Sequence, residues 1–170
     1  NLESAVLLGS FKDKKFDDAV SRKTTVYQIG AALEGIWRPK GDFTGTELQL
    51  KAGFGSGDSN PGFGALDQAD TQRDPTADGI DNNLENFNFS PNYHVDMIMF
   101  RRIIGTVTDA WYVSPQVSYD FSQKVNGLFR AIYSQALFAR STPSSAGVGD
   151  ASKPMGLELN IEISYGGEPS

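Results

Sequence analysis

Residues Thr25–Arg38 read TVYQIGAALEGIWR. Odd positions carry Thr25, Tyr27, Ile29, Ala31, Leu33, Gly35 and Trp37; even positions include Gln28, Glu34 and Arg38. A period of two places these sets on opposite faces of a strand, one apolar and one wet. Soluble strands usually stop near five or six residues. A run of roughly ten or more with this pattern is the signature of a transmembrane β-barrel strand, with lipid outside and water inside.

The neighbouring stretches repeat the pattern. Thr46–Ser56 sets Thr46, Leu48, Leu50, Ala52 and Phe54 against Glu47, Gln49 and Lys51. Trp111–Phe121 sets Trp111, Val113, Pro115, Val117, Tyr119 and Phe121 against Ser114, Gln116, Ser118 and Asp120. Pro115 counts against a strand there, because proline brings no ladder donor. Gly156–Tyr165 sets Leu157, Leu159, Ile161, Ile163 and Tyr165 against Glu158, Asn160 and Glu162. Val125–Phe138 alternates less cleanly, and Leu2–Phe11 is the weakest candidate. Tyr93–Gly105 fits either a strand or a helix.

Connection lengths alternate. Lys12–Lys23 reads as a charged connection, Pro39–Gly45 as a short turn, and Gly57–Asn92 as a long acidic loop. Ser122–Lys124 reads as a tight turn and Ala139–Pro154 as a loop rich in Ser, Thr, Gly and Pro. Outer-membrane barrels have short periplasmic turns and longer extracellular loops. With Leu2–Phe11 running outward, the outer strand ends hold Tyr27, Phe54, Trp111 and Leu137. The inner ends hold Trp37, Tyr119, Phe121 and Tyr165. All have lipid-face parity, as aromatic girdles require.

Composition agrees. The 170 residues suit a single unit, 1–170, with hydrophobic content of 39% and a mean hydropathy of −0.34. No stretch approaches the length of an apolar membrane helix. There is no cysteine, so no disulfide or thiolate site exists. A net charge of −6 argues against nucleic-acid binding. The first residue is Asn1, with no leader-like segment, and the chain reads as processed or trimmed. The expected fold is all-β, an antiparallel up-and-down transmembrane barrel with about six strands here. Such barrels need about eight strands to close. The chain is therefore expected to be a segment of a larger barrel, or one of several chains completing one.

The runs TTVYQIGAALEGIW, ELQLKAGFGSGDSNPG and FNFSPNYHVDMIMFRRIIGTVTDAWYVSPQVSYDF resemble bacterial outer-membrane porins of the alginate-export type. They are also similar to a related myxobacterial group. The carrying features are a strand ending in Gly55-Ser56-Gly57-Asp58, an Asp-rich loop, Phe87-Asn88-Phe89 and the strand pair beyond. The resemblance implies a larger single-chain barrel, with these residues in its C-terminal part. An alginate pore would call for a strongly basic lumen, which this sequence does not clearly offer.

The expected pore lining includes Glu34, Arg38, Glu47, Gln49, Lys51, Gln116, Asp120, Arg130, Glu158, Asn160 and Glu162. Taken singly, each is more simply read as pairing with a neighbour. Taken together, mixed acids and bases point to a wet interior, and the excess of acids to weak cation preference. Arg101 and Arg102 have two readings. The simpler is an outer-rim hairpin or short helix with the arginines paired to loop aspartates. The sharper is a loop element folded toward the pore, with arginine at a constriction.

Asp74, Asp78, Asp81 and Glu85 are candidate calcium ligands. Asp74 as position one puts Asp78 at five, Gly79 at six and Glu85 at twelve of a calcium loop. Thr76 at three, Asp81 at eight and Pro75 depart from the pattern and favour an acidic, solvated loop. His94 is the only histidine. No nucleophile–base set or phosphate loop is present, so no enzyme is expected. The expected function is a porin-like channel in a Gram-negative outer membrane, passing small solutes or an exported polysaccharide. The lipid bilayer and other envelope proteins are the expected partners. The alternatives are a barrel anchoring an adhesion, secretion or motility complex, and a soluble all-β module binding carbohydrate or calcium.

Overall fold

The computed structural model describes residues 1–14, 21–41, 44–58, 83–138 and 154–166. Seven strands form one sheet: β1 (Leu2–Lys14), β2 (Ser21–Trp37), β3 (Thr46–Gly55), β4 (Asn83–Leu84), β5 (Ala110–Ser122), β6 (Val125–Ala136) and β7 (Pro154–Tyr165). Six follow one another in the order β1-β2-β3-β5-β6-β7, every neighbouring pair antiparallel. This is an up-and-down meander. It is open, with β1 and β7 as its edges.

The alternation that predicts strands also fixes the register. A shift by one residue would move every apolar side chain to the other face. In the observed register Leu33 faces Leu2 and Ala52, Ala52 faces Val113, Val113 faces Tyr133, and Tyr133 faces Leu157. One apolar row thus crosses all six long strands. On the other face Glu34 stands opposite Lys51, Glu47 opposite Ser118, and Gln116 opposite Arg130.

The strands differ from the sequence reading at several points. β1 runs on to Lys14 and β2 begins at Ser21, so both ends of the charged connection expected over Lys12–Lys23 are strand. Charged residues fit there because strand pairing is made by backbone groups, whatever the side chain. Pro115 sits inside β5, paired with Leu50 of β3. On the β6 side, pairing lapses between Val113–Tyr133 and Gln116–Arg130 and then resumes in the same register. The missing proline donor falls in that gap.

The seventh strand, β4, lies inside the expected loop over Gly57–Asn92. β2 outruns β3, whose last pair is Gly30 with Gly55. β4 takes the vacant side of β2, pairing Thr25 with Asn83 and Val26 with Leu84 in parallel. Ser56 secures the junction. Its hydroxyl accepts from the Ile29 amide at 2.9 Å and donates to the Glu85 carbonyl at 2.6 Å.

Two short connections close one end of the sheet. Gly41 and Gly45, both at positive φ, turn β2 into β3. The Ser122 hydroxyl accepts from the amides of Lys124 and Val125 between β5 and β6. Residues 86–109 fold back over the polar face. There Val95, Phe100 and Val107 bury against Ala110 and Tyr112 of β5, Ile132 and Ala136 of β6, and Met155 of β7. The wet interior expected from the strands is therefore interrupted by a small packed core.

Candidate functional site

The site is the polar face of the sheet together with the insertion 86–109 that covers part of it. Its charged groups pair across strands. Arg38 meets Glu47 at 2.6 Å and Lys51 meets Glu34 at 3.0 Å. The Arg130 guanidinium donates twice to Gln116 Oε1, at 2.6 and 2.8 Å, and Asn126 donates to Asp120 at 2.8 Å. Asn160 donates to Glu158 at 3.0 Å. The eight charged residues expected to line a pore thus share one sheet face, and most are paired. Glu162 forms no ion pair among the described residues.

Glycines let the insertion come close. Gly30, Gly53 and Gly55 all have polar-face parity. A Cβ on Gly30 would stand 2.2 Å from the Phe87 ring, and one on Gly53 would stand 2.8 Å from the Ala31 carbonyl and 2.9 Å from the Tyr112 ring. Real Cβ atoms do not approach so near. Phe87, Phe89 and Tyr93 then run as a chain of rings, Phe87 edge-on to Phe89 and Tyr93 stacked on Phe89. The Tyr93 and Tyr112 hydroxyls share a hydrogen bond, which ties the insertion to β5.

Two carboxylates fix the next segment. Glu158 of β7 accepts from the amides of Met97 at 2.9 Å and Ile98 at 3.3 Å. Asp96 accepts from Phe100 at 2.8 Å and Arg101 at 3.1 Å. It thereby satisfies two otherwise free amides of a single turn of π-helix, Met99–Ile104. Burial pushes the Asp96 carboxyl up from its ordinary value. Its amide bonds oppose that shift, and the nearby Glu158 charge adds to it.

Arg101 and Arg102 lie on this turn with exposed side chains, and neither forms an ion pair among the described residues. The element is a short helical turn laid on the polar face of the sheet. Phe87 and Phe89 stand out in the sequence only as carriers of the resemblance, and the docking roles of Phe87, Phe89, Tyr93 and Asp96 were not read from it. The glycines of polar-face parity in β2 and β3 are the signal that could have found them.

The calcium candidates Asp74, Asp78 and Asp81 lie outside the described residues. Glu85 is described, and its amide reaches the buried Asp58 carboxylate at 3.4 Å. Among the described residues no three or more histidine, cysteine or acidic side chains gather as metal ligands would.

Among the described residues, nothing covers the opposite face. Tyr27, Trp37, Phe54, Tyr119, Phe121 and Tyr165 are all exposed there, and Trp111 is half-buried. On β7, Ile161 and Ile163 keep 77% and 75% of their surface open. Compared with known proteins, the chain matches no family model, no curated protein and no solved structure.

Proposed function

We propose that this chain builds part of an outer-membrane β-barrel of a Gram-negative envelope. It is a non-enzymatic, porin-like channel that passes small solutes or a polymer by passive diffusion. The observation that carries this reading is the unbroken apolar face. Apolar side chains of all six long strands lie exposed in register. Soluble monomers rarely expose more than a few hundred Å² of contiguous apolar surface. A bilayer covers such a face without a specific partner, and aromatics near both strand ends fit its two interfaces.

The polar face supports a water-filled interior whose acids outnumber its bases. On the strands Glu3, Glu34, Glu47, Asp120, Glu158 and Glu162 stand against Arg38, Lys51 and Arg130, and the docked turn adds Arg101 and Arg102. That balance favours cations over a polyanion such as alginate. The docked insertion narrows the path along this face. Planar-bilayer recording of the full-length protein is the test. Discrete conductance steps are expected, and their absence overturns the channel.

One observation favours a second reading. The core around Phe100, Tyr112 and Ile132 blocks part of the polar face, as in a plugged barrel that anchors a surface complex. In that case the protein still requires detergent for extraction but conducts nothing. Partitioning into buffer without detergent would overturn both readings in favour of a soluble module.

A further inference from the structure

Phe87, Phe89 and Tyr93 wall one side of a cleft of about 240 Å³ over β1 and β2. Glu3, Ala5 and Gly30 line it as well. The walls are π surfaces, with ring centroids 5.2 Å apart for Phe87–Phe89 and 5.1 Å for Phe89–Tyr93. Gly30 carries no side chain, so the Phe87 ring lies directly on the sheet and the cleft opens beside it. The Glu3 side chain is exposed and accepts only from the neutral Asn1 amide among the described residues. Glu34, nearby, is matched by Lys51. Both carboxylates act on the Tyr93 hydroxyl, whose pKa burial already raises.

We propose that this cleft binds a small organic cation, an alkylammonium or amine, held against the ring faces with Glu3 as its counter-ion. A cation over an aromatic face is attracted by the ring quadrupole, more strongly when partly desolvated. A nearby uncompensated carboxylate adds to the attraction. An anion would meet a carboxylate, and no Lys, Arg or His lines the cleft among the described residues. A neutral sugar could stack on the same rings but needs paired donors and acceptors around its hydroxyls. The Tyr93 hydroxyl is already engaged by Tyr112. The site does not depend on conduction and stands or falls separately from the channel.

The test is isothermal titration of the full chain in detergent micelles with choline chloride, against sodium chloride at matched ionic strength. Saturable binding is expected. Phe89→Leu keeps the apolar packing but removes the π face, and should weaken binding roughly tenfold. Glu3→Gln, a neutral substitution of the same shape at an exposed position, should weaken it several-fold. Phe129→Leu on the apolar face is the control and should leave affinity unchanged. Absence of saturable heat overturns the proposal. So does wild-type affinity in both Phe89→Leu and Glu3→Gln, or displacement of choline by maltose at equal concentration.

Discussion

The ring of Phe87 rests on Gly30, where even a methyl group would stand 2.2 Å from it. This contact joins the insertion to β2 at the point where β3 gives out. Gly30→Ala should therefore lift the insertion while leaving the strand register intact. Overpacking of this kind costs about 1–3 kcal/mol. Limited proteolysis should cut within 86–109 faster in the variant, with unchanged far-ultraviolet circular dichroism. Gly35→Ala, with nothing within 4 Å of the added atom, is the control and should behave as wild type.

Leu50 and Lys51 are adjacent in β3 but belong to opposite faces. If the apolar face meets lipid, Leu50→Arg places a charge in hydrocarbon, at about 2–4 kcal/mol near the midplane. Assembly into vesicles, followed by heat-modifiable migration on gels, should fail or fall sharply. Lys51→Ala removes only a partly exposed ion pair with Glu34, worth less than about 1 kcal/mol. It should assemble normally. Equal failure of the two variants would reverse the assignment of faces.

The strands were legible because alternation encodes them locally. Trp37, Leu48 and Tyr119 announce their face from their own sequence neighbours. β4 was not legible. Two residues carry no period, and Asn83–Leu84 is a strand only because β2 outruns β3 beyond Gly30. The insertion hid for a similar reason. Val95, Phe100 and Val107 show no clean period of two or 3.6, since they pack irregularly onto a surface formed by three separate strands. Glu158 and Arg130 were placed on the polar face from parity alone. What Glu158 holds, the amides of Met97 and Ile98 some 60 residues away, has no local signature.

Asp96 gives a pH dependence whose sign follows from its burial. Its folded-state pKa lies above the ordinary 3.8, and burial is the main cause. The folded form then holds its proton more tightly than the unfolded form. The resulting stabilisation is fully present below pH 3.8 and is lost as pH rises through the raised value. Docking of the insertion should therefore tighten, as far as Asp96 controls it, when pH falls through that window. Asp96→Asn removes the buried charge and keeps one acceptor oxygen, so it retains one of the two bonds to the Phe100 and Arg101 amides. Protection of the amides of residues 97–104, taken relative to their intrinsic exchange rates at each pH, should rise on acidification in the wild type and change less with pH in Asp96→Asn. Lower protection at low pH in the wild type alone would contradict the assignment.

Glu162 of β7 tests the charge balance of the polar face. It stands opposite Leu128, is exposed, and forms no ion pair among the described residues. Its charge is free to act on passing ions, whereas removing Glu34 or Glu47 would also release a paired cation. In a potassium chloride gradient the wild-type protein should show a reversal potential of cation-preferring sign. Glu162→Lys changes the face by two charges without breaking a pair, and should move the reversal potential toward anions. The shift should shrink as salt rises from about 0.1 M to 1 M, where the screening length falls from about 10 Å to 3 Å. An unchanged reversal potential at low salt would mean that ions do not pass along this face, and would favour the plugged barrel.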